Sequence, residues 1–296
     1  MDPDQTGRAI CILRTNKCYY PGSLGIPNLG LFPQSTKEYS FINTEVSPNI
    51  EHAFHALALD EHRKPFSPTI WEVPDGQALP KVMKQCWFPG AHANVGGGYD
   101  DSQSADITLA WMMNQLGSLL DFNLDYLLEQ QEMNVKYYKT HGQDVRPWGT
   151  GKINESYGGL QTIAGSQVRT PGFYTATDPI TGKNTGRLLR NTNESVHASV
   201  RLRWGGKDLG REDRGTYKPK ALDGWTLRGA GANMELLGDD VIAWELESAG
   251  TGANRVLRED ELGPIEKKIL ETSPDMVNRV MAGEVGPGSI NGVGRH

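Results

Sequence analysis

The sequence has few cysteines, no long apolar run and no excess of basic residues, and each shortage excludes a class of protein. Its three cysteines, Cys11, Cys18 and Cys86, lack metal-like spacing, which fits reduced intracellular thiols and not a disulfide scaffold. No stretch approaches the ~20 apolar residues that span a bilayer, and the N-terminus lacks the features of a signal peptide. The net charge of -6 argues against nucleic acid as a partner. We predict a cytoplasmic protein without a transmembrane segment.

Motifs for nucleophiles, phosphates and metals are also missing or incomplete. No serine lies in a G-x-S-x-G elbow; Ser23 (PGSLG) and Ser166 (AGSQV) come nearest, and each lacks one glycine. The segment HAFHALALDEH, residues 52–62, contains no H-E-x-x-H zinc motif, and the glycine-rich pieces at 149–152 and 229–233 are not complete phosphate-binding motifs. We therefore predict neither a metal nor a cofactor.

Apolar spacing predicts helices and strands on both sides of a glycine-rich centre. Residues 49–62, NIEHAFHALALDEH, have apolar side chains three and four apart, which predicts an amphipathic helix. Residues 81–88 predict a buried strand, and residues 105–120 and 124–138 predict two further helices. Short strands are predicted at 199–204 and 241–246, and residues 283–296 are typical of a flexible tail.

The stretch CWFPGAHANVGGGY, residues 86–99, places one histidine between the predicted strand and three glycines. A strand, a short histidine loop and a helix in succession are typical of how α/β-hydrolases present their general base. Glycines beside the histidine let the backbone pass close to a nucleophile and its substrate. The same local pattern also fits a histidine that merely bonds to a nearby carbonyl, so both interpretations stay open at this point.

Four blocks together resemble one family, the type VI secretion phospholipase effector-like catalytic domain, formerly a domain of unknown function. They are GSLGIP at 22–27, FHALALDEHRKPFSPTIWE at 54–72, CWFPGAHANVGGGYDDSQSADITLAWM at 86–112 and NESVHASVRLRW at 193–204. The similarity is greatest to the fungal branch. It implies an α/β-hydrolase-type domain with a Ser-Asp-His triad that cleaves ester bonds of phospholipids. By motif, His92 matches the triad histidine, and the residues of its loop that match are Gly90, Asn94, Gly96, Gly97 and Gly98.

The chain departs from this family at two of the three triad positions. The family's serine lies in a G-F-S-R-G-A elbow ahead of the first matching block, and no such elbow is present here. The family's acid lies in a W-D-T-V segment just before GSLGIP, where this chain has CYYP with Tyr19 in place of the aspartate. We interpret the chain as the C-terminal part of a family member with an incomplete N-terminus, which predicts that it is inactive as written.

The resulting prediction is an α/β protein that combines the C-terminal part of an α/β-hydrolase-like fold with a mixed, loop-rich accessory region. Its predicted parts are an unmatched lead segment (1–21), the hydrolase-like part with the histidine loop (22–120), the accessory region (121–260), and a short helix with a flexible tail (261–296). The predicted substrate is a lipid or other ester. The alternative is a non-catalytic pseudoenzyme or remnant that acts as a binding module.

A different acid could replace the missing aspartate. The candidates are Asp60, Asp100 and Asp101, although the last two are expected to begin the following helix, where carboxylates favour the positive end of the helix dipole. We expect Glu61 and Arg63, together with Asp60, to form a solvated or ion-paired helix end. His197 is expected to have a structural role.

Overall fold

A computed structural model describes residues 9–12 (as backbone), 46, 50–76, 80–155, 166–178, 181, 183–229, 241–246 and 255–286. The central element is a seven-stranded sheet in the order β1-β2-β3-β6-β9-β8-β7. Strands β1, β2, β3, β6 and β9 are parallel to their neighbours in that group, whereas β8 and β7 continue the sheet in antiparallel pairing. Strands β4 and β5 form a separate antiparallel pair. The predicted α/β class is confirmed.

The strands and helices of the described residues have the following bounds. The strands are β1 (Ala9–Ile12), β2 (His52–Ala58), β3 (Val82–Phe88), β4 (Thr175–Thr177), β5 (Asn184–Leu188), β6 (Glu194–His197), β7 (Thr226–Arg228), β8 (Ala243–Leu246) and β9 (Arg255–Asp260). The α-helices are α1 (His92–Gly96), α2 (Gln103–Leu116), α3 (Asp125–Thr140), α4 (Ala198–Arg203), α5 (Pro264–Leu270) and α6 (Pro274–Met281).

The segment predicted as an amphipathic helix at 49–62 is instead β2, a strand inside the sheet and next to its β1 edge. Its middle residues 53–57 are all buried, and it pairs in parallel with β1 on one side and β3 on the other. A strand buried on both faces has a nearly continuous apolar sequence, and such a short run also satisfies helical spacing by chance. The helix prediction was therefore wrong, because the apolar side chains of this run pack against both faces of a sheet.

Alternate residues of the central strands pack into two separate cores. On β3, Phe88 belongs to the cluster that includes Trp111 of α2, whereas its neighbour Trp87 belongs to the cluster that includes Trp244 of β8. On β2, Phe54 contributes to the first cluster as well. Because successive side chains of a strand point to opposite faces, helices and loops cover both sides of the sheet.

The strand predicted at 199–204 is helix α4, a second error. The strand in this region is β6, which ends at His197, and the His197 side chain caps α4 by accepting a hydrogen bond from the Ser199 backbone N–H. The predicted strand at 81–88 and the predicted helices near 105–120 and 124–138 are confirmed as β3, α2 and α3. The strand predicted at 241–246 is confirmed as β8, and the outer part of the predicted tail, 287–296, lies outside the described residues.

The parallel strands bring three segments to one edge of the sheet. The carboxyl ends of β2, β3 and β6 lead into residues 59–63, residues 89–92 and helix α4, respectively. In open α/β sheets this edge is where binding and catalytic sites form. Within the described ranges, no helix combines the length and the apolar character needed to cross a membrane.

Candidate active site

The turn after β3 holds the histidine segment in a fixed position. Gly90 has a φ of +98°, and a Cβ on it would lie 2.5 Å from the Cβ of Asn94, so no other residue fits there without a shift. Asn94 accepts a hydrogen bond from the Ala91 N–H at 3.2 Å and donates to the Lys152 carbonyl at 2.9 Å. His92 is then the first residue of the short helix α1 and not part of an open loop.

The other glycines predicted for this loop lie four to six residues after His92 in the chain. Gly96 is the last residue of α1, and Gly97 and Gly98 follow it with φ values of +83° and +124°. This positive-φ pair turns the chain between α1 and α2. The structure thus brings the predicted loop residues together around His92, and their part in catalysis stays a prediction.

Asp60 fixes the same turn from the neighbouring strand. Its Oδ2 accepts hydrogen bonds from the Gly90 N–H at 2.6 Å and from the Tyr217 hydroxyl at 2.9 Å. Burial raises the pKa of the Asp60 carboxyl above its usual range, although these two hydrogen bonds oppose the shift. Asp60 therefore contacts the backbone ahead of His92, and it does not form a hydrogen bond with the imidazole.

The acid that contacts the histidine is Glu61. Its Oε2 lies 2.8 Å from His92 Nδ1, and its side chain is only 2% exposed. Arg63 donates to the same carboxylate three times, from its backbone N–H and from Nε to Oε1, each at 2.9 Å, and from Nη2 to Oε2 at 2.6 Å. The expected helix end is wrong, because the segment is not helical and lies buried at the sheet edge beside His92, whereas the expected ion pairing is confirmed by the Arg63–Glu61 contact.

Opposing effects act on the ionisation of Glu61. Burial by itself would raise the pKa of the carboxyl, but hydrogen bonds from Arg63 and His92 and the charge of Arg63 outweigh it and lower the pKa below its usual range. The carboxylate is thus ionised at neutral pH. An ionised partner favours the imidazole form that carries its proton on Nδ1.

Arg63 and Glu61 compete for the same nitrogen of His92. Arg63 Nη2 also lies within hydrogen-bond distance of His92 Nδ1, and an arginine can only donate. If Nδ1 carries a proton and donates to Glu61, Nε2 has a free lone pair and can act as a base. If Nδ1 accepts from Arg63, Nε2 carries the proton instead and can only donate. The balance between these two contacts decides what Nε2 can do.

Nε2 is the part of the imidazole that remains available. The His92 side chain is 20% exposed, and its ring stacks on Phe66 with centroids 4.8 Å apart and an interplanar angle of 18°. The Arg63 guanidinium also lies over the Phe66 ring, 3.9 Å from its centroid. No polar group in the described part of the chain forms a hydrogen bond with His92 Nε2.

The remaining candidate acids have other partners. The Asp101 carboxylate accepts from the Tyr138 hydroxyl at 2.5 Å, from the Lys152 N–H at 2.8 Å and from the Gln103 N–H at 3.3 Å. Its expected position at the start of the following helix is confirmed by the Gln103 contact, because α2 begins at that residue. Asp100 is exposed. Neither aspartate forms a hydrogen bond with His92.

A second histidine–glutamate pair lies in the interior beneath β6. His197 Nε2 is 2.7 Å from Glu266 Oε1, His197 Nδ1 is 2.7 Å from Ser199 Oγ, and both side chains of the ion pair have no exposed surface. The order of groups imitates a serine–histidine–acid triad. Because no substrate can reach a fully buried hydroxyl without opening the core, this arrangement has a structural role, as expected for His197.

The histidines of β2 and the segment after it do not form a metal site. His55 is buried, with Nδ1 at 3.0 Å from Gln85 Oε1, and burial lowers its pKa to about 4. His62 Nδ1 lies 2.9 Å from the Asp60 carbonyl. Within the residues that the structure describes, no group of three or more histidine, cysteine or acidic side chains is placed to hold a metal ion.

Comparison with protein families shows which family resembles the segment that contains Glu61, Arg63 and His92. Residues 22–115 match the family model of the T6SS phospholipase effector Tle1-like catalytic domain. The predicted family resemblance is confirmed over this range, which we call the Tle1-like region. Neither the curated proteins nor the solved structures contain a match to the chain.

The Tle1-like region includes the whole site around His92 but ends before the last resembling block. Strands β2 and β3 and helices α1 and most of α2 lie within it, whereas the block at 193–204 lies beyond its end. The matching family model is that of a phospholipase effector catalytic domain. The acid at His92 was missed from the sequence because Glu61 was assigned to a helix; a strand at 52–58 would have placed it at the same sheet edge as His92.

Proposed function

We propose that the Tle1-like region forms the base-bearing part of a site that hydrolyses ester bonds of phospholipids or related lipids. His92 is the general base, and Glu61 takes the part of the triad acid in place of the aspartate that the chain lacks. The 2.8 Å contact between Glu61 Oε2 and His92 Nδ1 at the carboxyl edge of the sheet carries this proposal. Gly90, Asn94, Gly96, Gly97 and Gly98 hold the segment that presents the imidazole.

In this reaction His92 moves one proton between two oxygens. With Nδ1–H donating to Glu61, Nε2 accepts the proton of a serine hydroxyl as that oxygen attacks the ester carbonyl, and then returns it to the leaving alcohol. Glu61 stays ionised and stabilises the imidazolium that forms between these steps. Arg63 keeps the carboxylate in place through its three hydrogen bonds.

The serine is the component that the given sequence does not supply in the expected motif. Ser166, one of the two nearest matches to an elbow, is exposed and pairs with Arg63 in an isolated antiparallel β-bridge. It has no hydrogen bond with His92 among the described residues. Ser23 lies outside the described residues. We therefore propose that the chain as written does not turn over esters.

An activity assay tests the absence of turnover. We expect no release of fatty acid from phosphatidylcholine or phosphatidylethanolamine vesicles and no labelling of the chain by a fluorophosphonate probe. Turnover or labelling that disappears in Ser166→Ala would contradict the proposed inactivity and identify the nucleophile. Full-length transcripts with an in-frame G-F-S-R-G-A elbow ahead of residue 22 would supply the serine, and in that product His92→Ala should lower the rate by several powers of ten.

The role of His92 can be tested even in a chain without turnover. Long-range ¹H–¹⁵N correlation spectra distinguish the two neutral forms of an imidazole, and His92→Gln identifies the signals. We expect the proton on Nδ1 and an unprotonated Nε2. A proton on Nε2 would mean that the Arg63 contact prevails, and His92 could not then serve as the base.

The second candidate function is a non-catalytic binding module. The observation that favours it is the lack of a hydroxyl bonded to His92 Nε2 in the described part of the chain, together with the missing elbow. Under this hypothesis the protein binds lipid vesicles without hydrolysing them. A lipid as the partner, the absence of nucleic-acid binding and a cytoplasmic location stay predictions in both cases.

A further inference from the structure

A cavity lies directly beyond the helix that begins with His92. It has a volume of about 280 Å³ and is lined by residues 95–99, by one face of α2 and by Gln130 of α3. Because α1 runs from His92 to Gly96, the cavity wall starts within a few residues of the proposed base. A cavity of this size is slightly smaller than the usual ligand sites of about 300–1,000 Å³ and fits only a small group.

A buried carboxylate forms the polar part of this cavity. Asp106, on the first turn of α2, lines it and is only 5% exposed. Its Oδ2 accepts from the Ser102 hydroxyl at 2.7 Å and from Gln131 Nε2 at 3.2 Å. Its Oδ1 has no hydrogen-bond partner among the described residues, which leaves one carboxylate oxygen for a ligand.

No cation of the described chain neutralises Asp106. Burial raises the pKa of the carboxyl to about 6, the Ser102 hydrogen bond opposes this shift, and the charge of Asp101 adds to it. The group is thus largely ionised at neutral pH, and no described lysine or arginine forms an ion pair with it. The positive end of α2 offsets part of the cost of this buried charge, because Asp106 lies in the first turn of that helix. A positively charged ligand would offset the rest.

The other lining residues indicate which kind of cation fits. Val95, Ala105 and Leu109 are apolar and Tyr99 is aromatic, and apolar and aromatic walls are typical of sites for organic ammonium groups. A metal ion would require several converging oxygen ligands, and the described residues contain no such group. The cavity therefore matches an alkylated or primary ammonium better than an inorganic cation.

Two exposed apolar side chains lie beside the cavity. Tyr126 and Met133 lie four residues before and three residues after Gln130 on α3, which places them on the same helix face. They are 52% and 61% exposed. Because Gln130 lines the cavity, these two side chains adjoin its rim, and the exposed Glu129 lies on the same helix face. This combination of apolar and acidic groups suits a ligand with an ammonium head and an apolar body.

We propose that this cavity binds the ammonium group of a phospholipid head, choline or ethanolamine, with Asp106 as the counter-ion. The inference rests on the proposed function, because it names the substrate class of that site, but its test measures binding and not hydrolysis. Loss of the proposed role of His92 would leave the ammonium binding unaffected, so the two proposals fail independently.

The first experiment is a titration of the full chain with phosphocholine, followed by NMR of the amides of residues 96–99 and 102. Glycerol 3-phosphate, which has the phosphate but no ammonium, is the matched ligand control. We expect phosphocholine to shift these amides and glycerol phosphate not to do so. Equal shifts with both ligands, or none with phosphocholine, would overturn the proposal.

Two variants connect the binding to the cavity. Asp106→Asn removes the charge with little change in shape and should weaken phosphocholine binding by about tenfold or more, whereas Asp121→Asn removes the same charge from an exposed position and should bind like the wild type. Ala105→Phe fills the cavity without changing charge and should also abolish binding. Thermal melts identify a variant that has not folded. Wild-type affinity in a folded Asp106→Asn would contradict the proposal.

Vesicle binding distinguishes a lipid head from a small soluble compound as the source of the ammonium group. Sedimentation with phosphatidylcholine vesicles, compared with phosphatidylglycerol vesicles, should depend on Asp106 if the ligand is a lipid head. Binding of free phosphocholine without binding of vesicles would contradict the lipid head and assign a small soluble ammonium compound instead. Protonation of Asp106, with Asp101 as its titratable neighbour, should weaken binding as the pH falls below about 6.

Discussion

Two histidine–glutamate pairs follow neighbouring strands of the same sheet, and they differ in access. Glu61 and His92 meet at the carboxyl edge beyond β2 and β3, with the imidazole 20% exposed, whereas His197 at the end of β6 and Glu266 have no exposed surface. Their contact distances are nearly equal, 2.8 and 2.7 Å. The comparison teaches that a short histidine–glutamate contact does not by itself identify a catalytic site. An imidazole nitrogen that is exposed and has no protein partner does.

Their surroundings explain this difference. The inner pair, His197 and Glu266, is enclosed by aromatic rings, and Phe88 stacks on His197 at a centroid distance of 4.5 Å. Both nitrogens of the His197 imidazole have hydrogen-bond partners. At the outer pair, Glu61 and His92, the only imidazole nitrogen that Glu61 and Arg63 contact is Nδ1. A buried pair with every polar atom paired contributes to a unique core, while a pair with one open nitrogen can accept a proton from another molecule.

The largest effect is expected from breaking the inner pair. Glu266→Ala leaves His197 Nε2, Asn114 Nδ2 and the Gly263 N–H without their acceptor, and it should lower the free energy of unfolding by about 3–5 kcal/mol. Urea denaturation measures the loss. The control is Glu271→Ala at the exposed end of the same helix, and similar small losses in both variants would contradict a structural role for the inner pair.

A smaller effect with a distinct pH dependence is expected at the outer pair. Glu61→Gln should lower the free energy of unfolding by about 1–3 kcal/mol at neutral pH, because charge-assisted hydrogen bonds to Arg63 and His92 weaken. The pKa of Glu61 is lower in the folded than in the unfolded chain. Its contribution is therefore fully present above about pH 4.5 and is lost as the pH falls towards the folded pKa.

Denaturation curves between neutral pH and pH 3 measure this contribution. The difference in stability between the wild type and Glu61→Gln should shrink as the pH decreases. Glu51→Gln, which removes the exposed ion pair with Lys81, should cost no more than about 1 kcal/mol and serves as the control. A difference that stays constant with pH would mean that Glu61 is not ionised beside His92.

The smallest effect is expected from the ring that supports the outer histidine. Phe66→Leu removes the stacking on His92 and the contact with the Arg63 guanidinium, which should cost about 0.5–1.5 kcal/mol. Relaxation measurements on the His92 ring should show greater mobility. Phe173→Leu, at another partly exposed ring pair, should leave the His92 ring unchanged; equal mobility in both variants would show that the stacking does not orient the imidazole.

Much of the fold and one side of the site could be predicted from the sequence. The strand before His92, the helices that follow it, the strand at β8 and the α/β class all have local signals, because apolar periodicity and glycine positions act within a few residues. The family resemblance over residues 22–115 likewise depends on motifs that are contiguous in the chain. His92 stands out for the same reason, between an apolar strand and three glycines.

Only the tertiary structure decided which acid meets that histidine. The run AFHALAL satisfies helical spacing, and it is a strand because β1 and β3 pair with it on both sides. That pairing, between residues far apart in the chain, moves Glu61 from a predicted helix end to the sheet edge. The inner pair joins residues 197 and 266 in the same way, and Asp106 becomes a buried group facing a cavity only after α1, α2 and α3 pack together. Local patterns determine most of the elements, whereas long-range pairing makes β2 a strand, and burial and long-range contacts determine the chemistry of the side chains.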